Sequence, residues 1–307
     1  MNRLLMMMKR SLVQFGMMAL VFLGGCSMAP EQLRITEHDA AFAPGTIIAT
    51  ATGQPVTLEQ LLQDLEQVQV IYVGESHPDP NHHTIQRDLI EALQAQTPDL
   101  AVGMEMFAMP YQAILDRWSA GQLDEPRFLE LTHWYANWRY DFALYRPILT
   151  SIKAHNLDLI GLNLPFHIPP KISTGGIASL LPEDARHLPD RIDLTNPAHR
   201  EYVKTVFESH HIRGRERFDY FYEAQCAWED TMAAAIAQHL GTRKMVVIIG
   251  NGHIIYKFGV PDRVFAHTNA LFRTIYPAPA GTEVSADIAD YIWVSPSRSH
   301  GTRPSHP

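Results

Sequence analysis

The sequence predicts an α/β fold, a mostly parallel sheet flanked by helices with a smaller helical subdomain. Three observations carry this. Apolar runs recur at residues 68–73, 100–105, 157–162 and 245–249. Such runs suit strands buried on both faces of a parallel sheet. Between them lie stretches with apolar residues three and four apart, the spacing of helices with one buried face. Residues 109–145 differ: Tyr111, Trp118, Trp134, Tyr135, Trp138, Tyr140 and Tyr145 crowd into short helical stretches. They read as a helical insertion, and most of these rings suit a small aromatic core.

The chain has 307 residues, enough for one large domain or two smaller ones, and a net charge of -8. The first 25 residues read as a signal peptide and are set apart from the fold. Arg3, Lys9 and Arg10 are its basic start, and residues 12–22 its apolar centre. This leader holds no acid, so the remainder is more acidic than the whole. An acidic surface excludes nucleic acid as a partner, because phosphates need basic patches. Leu23-Gly24-Gly25-Cys26 resembles a bacterial lipobox, whose cysteine is lipidated and becomes the mature N-terminus. Ser27 at the next position resembles the outer-membrane class. The expectation is therefore a lipid anchor at Cys26 in the outer membrane, on the periplasmic face. Cys226 is then left without a disulfide partner. No later stretch is long and apolar enough to span a bilayer.

Residues 26–44 read as a polar linker, 45–295 as the domain and 296–307 as a mobile tail. Residues 46–50 suit a short strand. Thr57 and Gln60 have capping-box spacing ahead of Leu58, Leu61, Leu62 and Leu65, which marks a first helix. The strand at 68–73 runs into Gly74-Glu75-Ser76-His77, and a helix opens at Asn81-His82-His83. A carboxylate and three imidazoles thus meet at a strand end and a helix start. They suit metal ligation or acid–base work, and equally a solvated loop. Glu105 ends the next strand, where an unpaired charge is costly, so it is paired or works in a site. Asn163 ends the fourth strand, and Pro165, Pro169 and Pro170 break regular structure beyond it.

Residues 171–240 read as a further helical segment. His187, Arg191, His199, Arg200, His210, His211, Arg213 and Arg215 give it local positive charge, able to hold carboxylates or simply face solvent. Residues 217–240 form its longest helix, with Tyr220 and Tyr222. The strand at 245–249 stops at Gly250-Asn251-Gly252 and delivers His253 and Tyr256 to its carboxyl end. Ligands bind at that edge of open α/β sheets. Glu75, His77, Glu105 and His253 are expected to converge there. Residues 264–266, 271–275 and 288–294 read as short strands, the last at an edge.

Four separated motifs then carry a resemblance. They are Val73-Gly74-Glu75-Ser76-His77, Gly103-Met104-Glu105-Met106-Phe107, Ala224-Gln225 through Thr231-Met232-Ala233, and Gly252-His253-Ile254-Ile255-Tyr256 with Gly259-Val260-Pro261-Asp262-Arg263. In this order the chain resembles the ChaN family of haem-binding uptake lipoproteins. That family belongs to a wider group with Tiki-type metalloproteases and erythromycin esterases. The resemblance implies an α/β domain with a helical subdomain, and ferric haem held by a tyrosine. It also implies two haems stacked between two chains, hence a homodimer on haem binding. Tyr256 is the first candidate for the iron ligand, with Tyr220 and Tyr222 in reserve. Tyrosinate is an anionic haem ligand in catalase. Its formation here needs iron, or a cation such as Lys257 or Arg263, to lower the phenol's pKa. Arg263, or arginines of the 187–215 segment, would pair with the propionates. The wider group's enzymes use the Glu and His landmarks for catalysis, carried over here to Glu75, His77, Glu105 and His253. Two readings stand side by side: a haem-binding lipoprotein of iron uptake, or a metal-dependent hydrolase.

Overall fold

The computed structural model describes residues 31–209 and 216–297. The leader with Cys26, residues His210, His211, Arg213 and Arg215, and the tail from 298 lie outside the described residues. Strands begin earlier than the sequence suggests. β1 (Leu33–Ile35) and β2 (His38–Phe42) pair antiparallel, and β1 also pairs with a short strand at Glu283–Val284. Leu33, Ile35 and Phe42 are buried against Ile288 and Ile292. The linker expected over 26–44 is therefore corrected for these residues. The residues that cover their apolar side chains lie far along the chain, so these short strands read locally as a polar linker.

β3 (Ile47–Ala49) and β4 (Gln54–Val56) form a hairpin, and α1 (Leu58–Leu65) comes next. The capping box is present: Thr57 Oγ1 accepts from Gln60 N–H at 3.2 Å, and Gln60 Oε1 accepts from Thr57 N–H at 2.8 Å. Two amide groups that the first turn cannot satisfy are thereby bonded. Then come β5 (Val70–Glu75), α2 (Pro80–Gln94) and β6 (Leu100–Ala108). The aromatic insertion is four helices, α3 (Gln112–Ser119), α4 (Glu125–Thr132), α5 (Trp134–Asn137) and α6 (Phe142–Ala154). It extends beyond 145 because Ile148, Leu149 and Ile152 continue the buried stripe. Trp134 packs on Phe107, Phe142 and Tyr145, and its indole N–H donates to Tyr140 O at 2.8 Å. Ring pairs of this kind are worth about 0.5–1.5 kcal/mol beyond their buried area.

β7 (Asp158–Asn163) leads to α7 (Ile168–Gly175). Pro169 and Pro170 do not break structure here; they sit in the first turn of α7, where the missing N–H costs nothing. α8 (Pro182–Ala185), α9 (Pro197–Ser209) and the 23-residue α10 (Phe218–Leu240) come before β8 (Lys244–Gly250). Residues 264–266 are not a strand but part of α11 (Val260–Thr268). Val260 and Val264 are one helical turn apart and both buried, and Asn269 ends the helix in the left-handed region. β9 (Phe272–Pro279), β10 (Glu283–Val284) and β11 (Tyr291–Ser295) complete the chain. β11 is not an edge: it lies between β3 and β9.

The large sheet has eight strands in the order β4-β3-β11-β9-β5-β8-β6-β7, and every pairing from β11 to β7 is parallel. β8 is central. Val246 and Ile248 face α1, α2 and the aromatic helices; Met245, Val247 and Ile249 face α10 and α11. The period of two with both faces buried explains the unbroken apolar run. The crossover from β5 to β6 carries α2 on one face, while α10, between β7 and β8, lies on the other. Helices leaving to opposite faces open a crevice at the carboxyl ends of β5, β8 and β6. Among the described residues, no helix is long and apolar enough to cross a membrane.

Candidate functional site

The parallel register sets Glu75 beside Gly250, at the same edge as Glu105. Glu75, His77, Glu105 and His253 line one cleft of about 670 Å³ there. The close fit dictates glycine at two strand ends. A Cβ on Gly74 would stand 1.9 Å from Asn251 Oδ1, and one on Gly250 would stand 2.9 Å from the His77 ring.

Glu75 is fully buried. Its Oε1 accepts from Tyr145 Oη at 2.6 Å and faces His77 Nδ1 at 2.7 Å. Its Oε2 accepts from Gln86 Nε2 at 2.9 Å and lies 3.4 Å from His83 Nδ1. Burial alone would raise this carboxyl, but the hydrogen bonds from His77 and His83 outweigh it and hold it at about 2. His77 is displaced upward: burial opposes its charge, and the Glu75 bond and the Glu105 charge prevail. His77 is the most open of the four, with its ring against Trp138 at 4.8 Å and Tyr140 at 5.2 Å. His82 and His83 are not cleft ligands. Ser76 N–H donates to His82 Nδ1 at 2.8 Å, and His83 Nε2 lies 2.9 Å from His77 O, so both fix the turn that carries His77.

Glu105 Oε2 accepts from Gly250 N–H at 2.6 Å, and Oε1 lies 3.6 Å from His253 Nε2. Asn163, at the end of β7, donates its amide to Glu105 O at 2.8 Å. His253 arrives on a 3₁₀ turn, Asn251–His253, directly after β8. Its Nδ1 is 3.2 Å from Glu229 Oε1, a residue of α10 that sequence reasoning missed. Burial would lower the His253 imidazole, yet the two flanking carboxylates push it up to about 10. Glu229 is itself 3.2 Å from His199 Nε2 and 3.6 Å from Arg263 Nη1. Burial disfavours its charge, but His199, His253 and Arg263 hold the carboxyl below the usual range. The arrangement is thus a chain of alternating carboxylates and imidazoles. Among the described residues, no group of three or more His, Cys, Asp or Glu is placed to hold a metal ion.

A second lobe of about 470 Å³ adjoins the first and shares His77, Tyr140, Phe221, Gln225 and Trp228 with it. Trp138, Phe166, Pro169 and Pro170 make its other walls largely apolar. Tyr140, expected only as a ring of the aromatic insertion, lines the combined cleft, as do Tyr202 and Tyr276, which the sequence did not single out.

The expected tyrosines fall in different places. Tyr256 stands behind Tyr202, ring centroids 6.0 Å apart, at φ +55°, with Lys257 also left-handed at φ +67°. A bulky residue at positive φ marks a turn held by its surroundings. Neither expected cation reaches it. Lys257 pairs with Asp290 at 2.6 Å, and burial together with Asp287 and Glu37 raises the Tyr256 phenol. Tyr222 is buried and donates to Asn196 O at 3.3 Å. Tyr220 accepts from Arg217 Nη1 at 2.7 Å and packs against Gly176, and none of Tyr220, Tyr222 and Tyr256 lines either lobe of the cleft directly.

Arg263 is corrected as a propionate partner. It is buried, Nε lies 3.1 Å from Asp230 Oδ1, and its other nitrogens donate to Phe258 O and Asp193 O at 3.0 and 3.1 Å. Arg200 pairs with Asp219 at 2.5 Å and lies over Phe218 and Tyr222; His199 is buried on Glu229. Arg191 lines a separate pocket beside Arg263. Cys226 is free and buried, and burial pushes its thiol up to about 12, so it is an unreactive core residue.

Comparison with known proteins agrees with this architecture. Residues 61–264 match the family described as haem-binding uptake, Tiki superfamily, ChaN. The fold is similar to that of ChaN of Campylobacter jejuni, a structure of cofacial haem binding. The TM-score is 0.66 at 20% identity, over 80% of this chain and 95% of that one. An erythromycin esterase, EreC, in its open conformation gives a TM-score of 0.46 at 14% identity, over 77% and 76% of the two chains. No curated protein matches. The matched segment spans two thirds of the sequence and contains β5, β6, β8 and α10, which build the cleft. The chain belongs to the haem-binding uptake family of the Tiki superfamily, ChaN.

Proposed function

We propose that the chain binds ferric haem at the carboxyl edge of the sheet and serves haem or iron uptake. The observation that carries this reading is the family match, which runs through the strand ends that bring Glu75, Glu105 and His253 to the cleft. The residues present fit the group. Trp138, Phe166, Phe221 and Trp228 offer an apolar wall to a flat macrocycle, and the phenols of Tyr202 and Tyr276 line the adjoining lobe, with the Tyr256 ring packed against Tyr202. Haem iron supplies a Lewis-acid centre that a phenolate binds well. Tyr256 is the proposed ligand, supported by its partial exposure and its left-handed turn close to His253. With no cation at hand its phenol is neutral before haem arrives, so ligation releases a proton. A bound haem leaves one apolar face, which a second haem and a second chain would cover, giving a homodimer on loading. Cys26 would anchor the protein by lipid to the outer membrane, on the periplasmic face. Mass spectrometry of membrane-extracted protein should find an acylated N-terminal cysteine at that position, and an unprocessed Met1 would remove the anchor.

Titration of the purified protein with haemin tests the proposal. We expect saturable binding at micromolar levels, a ferric-tyrosinate spectrum, and sedimentation of the loaded protein as a dimer. Absence of saturable binding would refute it. The carboxylate–imidazole pairs at the cleft floor favour a second reading, a hydrolase with His77 on Glu75 as the base. Ester or peptide cleavage, assayed with and without added divalent metal and lost in Glu75→Gln, would establish that activity, and no cleavage in the wild type would dismiss it.

A further inference from the structure

Arg139 lies between the buried Trp138 and the half-buried Tyr140, in the left-handed region at φ +70°. It lines the aromatic lobe of the cleft and also a neighbouring cavity of about 720 Å³, walled by Pro78, Pro80, Leu144 and Pro147. The residue is exposed, and among the described residues no carboxylate stands within 4.0 Å of its guanidinium. The other cations near the cleft are already engaged. Arg263 is enclosed by Glu229 and Asp230, and Arg87, across the second cavity, is held by Asp88. The floor of the cleft is the wrong place for an added anion. Glu75 and Glu105 lie there, and both nitrogens of His253 face carboxylates. An amphipathic ligand entering with a carboxylate must therefore point that group away from the floor and towards the rim. Its apolar body would meet Trp138, Phe166 and Trp228.

We infer that Arg139 takes the carboxylate of the cleft's ligand and makes the site selective for amphipathic carboxylates. The inference rests on the haem reading, haem being a macrocycle with two propionates, and it does not depend on which tyrosine meets the iron. Arg is suited to this because its planar fork bonds a carboxylate through two parallel N–H groups.

Two probes separate the possibilities: haemin, and haemin dimethyl ester, in which both propionates are neutral. Arg139→Gln should weaken haemin binding roughly ten- to hundredfold, the range for a hydrogen bond to a charged group. The same variant should bind the dimethyl ester as the wild type does. Arg139→Lys should recover most of the haemin affinity, since it restores the charge. Diester binding by Arg139→Gln also shows that the variant is folded and its apolar wall intact. Wild-type haemin affinity in Arg139→Gln would overturn the inference, as would equal losses for haemin and diester, which mark a packing defect. If the wild type binds neither probe, the haem reading itself fails.

Discussion

Replacement of Glu229 by alanine is expected to destabilise the haem-free protein by about 3–5 kcal/mol, the usual cost of removing one partner from a buried ion pair. Glu229 is fully buried and faces His199 at 3.2 Å, His253 at 3.2 Å and Arg263 at 3.6 Å, and Gln225 donates to it at 2.7 Å. Without it, His253 keeps Glu105 and the buried Arg263 keeps Asp230 as their ion-pair partners among the described residues. The imidazole of His253 would then lose part of what raises it. Urea unfolding would show the change as a lower midpoint at unchanged slope. Glu229→Gln, which keeps the shape and one acceptor oxygen, should lose less than alanine. A loss under about 1 kcal/mol in the alanine variant would place Glu229 with ordinary surface pairs, against its burial.

Tyr256→Phe should abolish the ferric-tyrosinate band and weaken haemin binding by about a hundredfold or more. Even outer-shell partners of metal ligands are worth about 10–100-fold. The fold should survive, because Tyr256 is half-exposed and its ring contacts with Tyr202 and Phe258 are kept by phenylalanine. Wild-type affinity should rise with pH between about 6 and 8, by up to about tenfold per unit, since the phenol gives up its proton on ligation. The sign is set by the neighbours: burial, Asp287 and Glu37 all keep the free phenol protonated. That pH slope should flatten in Tyr256→Phe. An unchanged band in Tyr256→Phe, with loss in Tyr140→Phe or Tyr202→Phe, would move the ligand onto the cleft wall.

The parts of the site legible in the sequence were those written locally. Val70–Glu75, Leu100–Ala108 and Lys244–Gly250 are apolar runs with an acid or a glycine at or near their ends, and parallel pairing carries those ends to one edge. Glu75, Glu105 and His253 could be placed together on that ground alone. Glu229 could not. Glu229-Asp230 in a long helix looks like a solvated face, and only His199 and Arg263, from distant segments, make it internal. The same holds for β1, which pairs with Glu283–Val284, and for Leu33, Ile35 and Phe42 of β1 and β2, which are buried with Ile292, almost the length of the domain away. Arg263 was misjudged for the mirror-image reason: a basic residue in a motif looks available until Glu229 and Asp230 are found against it. Arg139 carries no local signal: it is one exposed arginine among aromatic residues, and only the fold brings it to the rim of the cleft.

Iron-edge anomalous diffraction from crystals of the haemin-loaded protein tests the central claim most directly, because it locates the metal without reference to spectra or variants. One iron peak per chain is expected in the cleft bounded by Trp138, Phe221, Trp228 and Tyr202, with a second chain's peak close by across the stacked haems. An iron peak outside that cleft, or crystals that hold none after saturation with haemin, would contradict it.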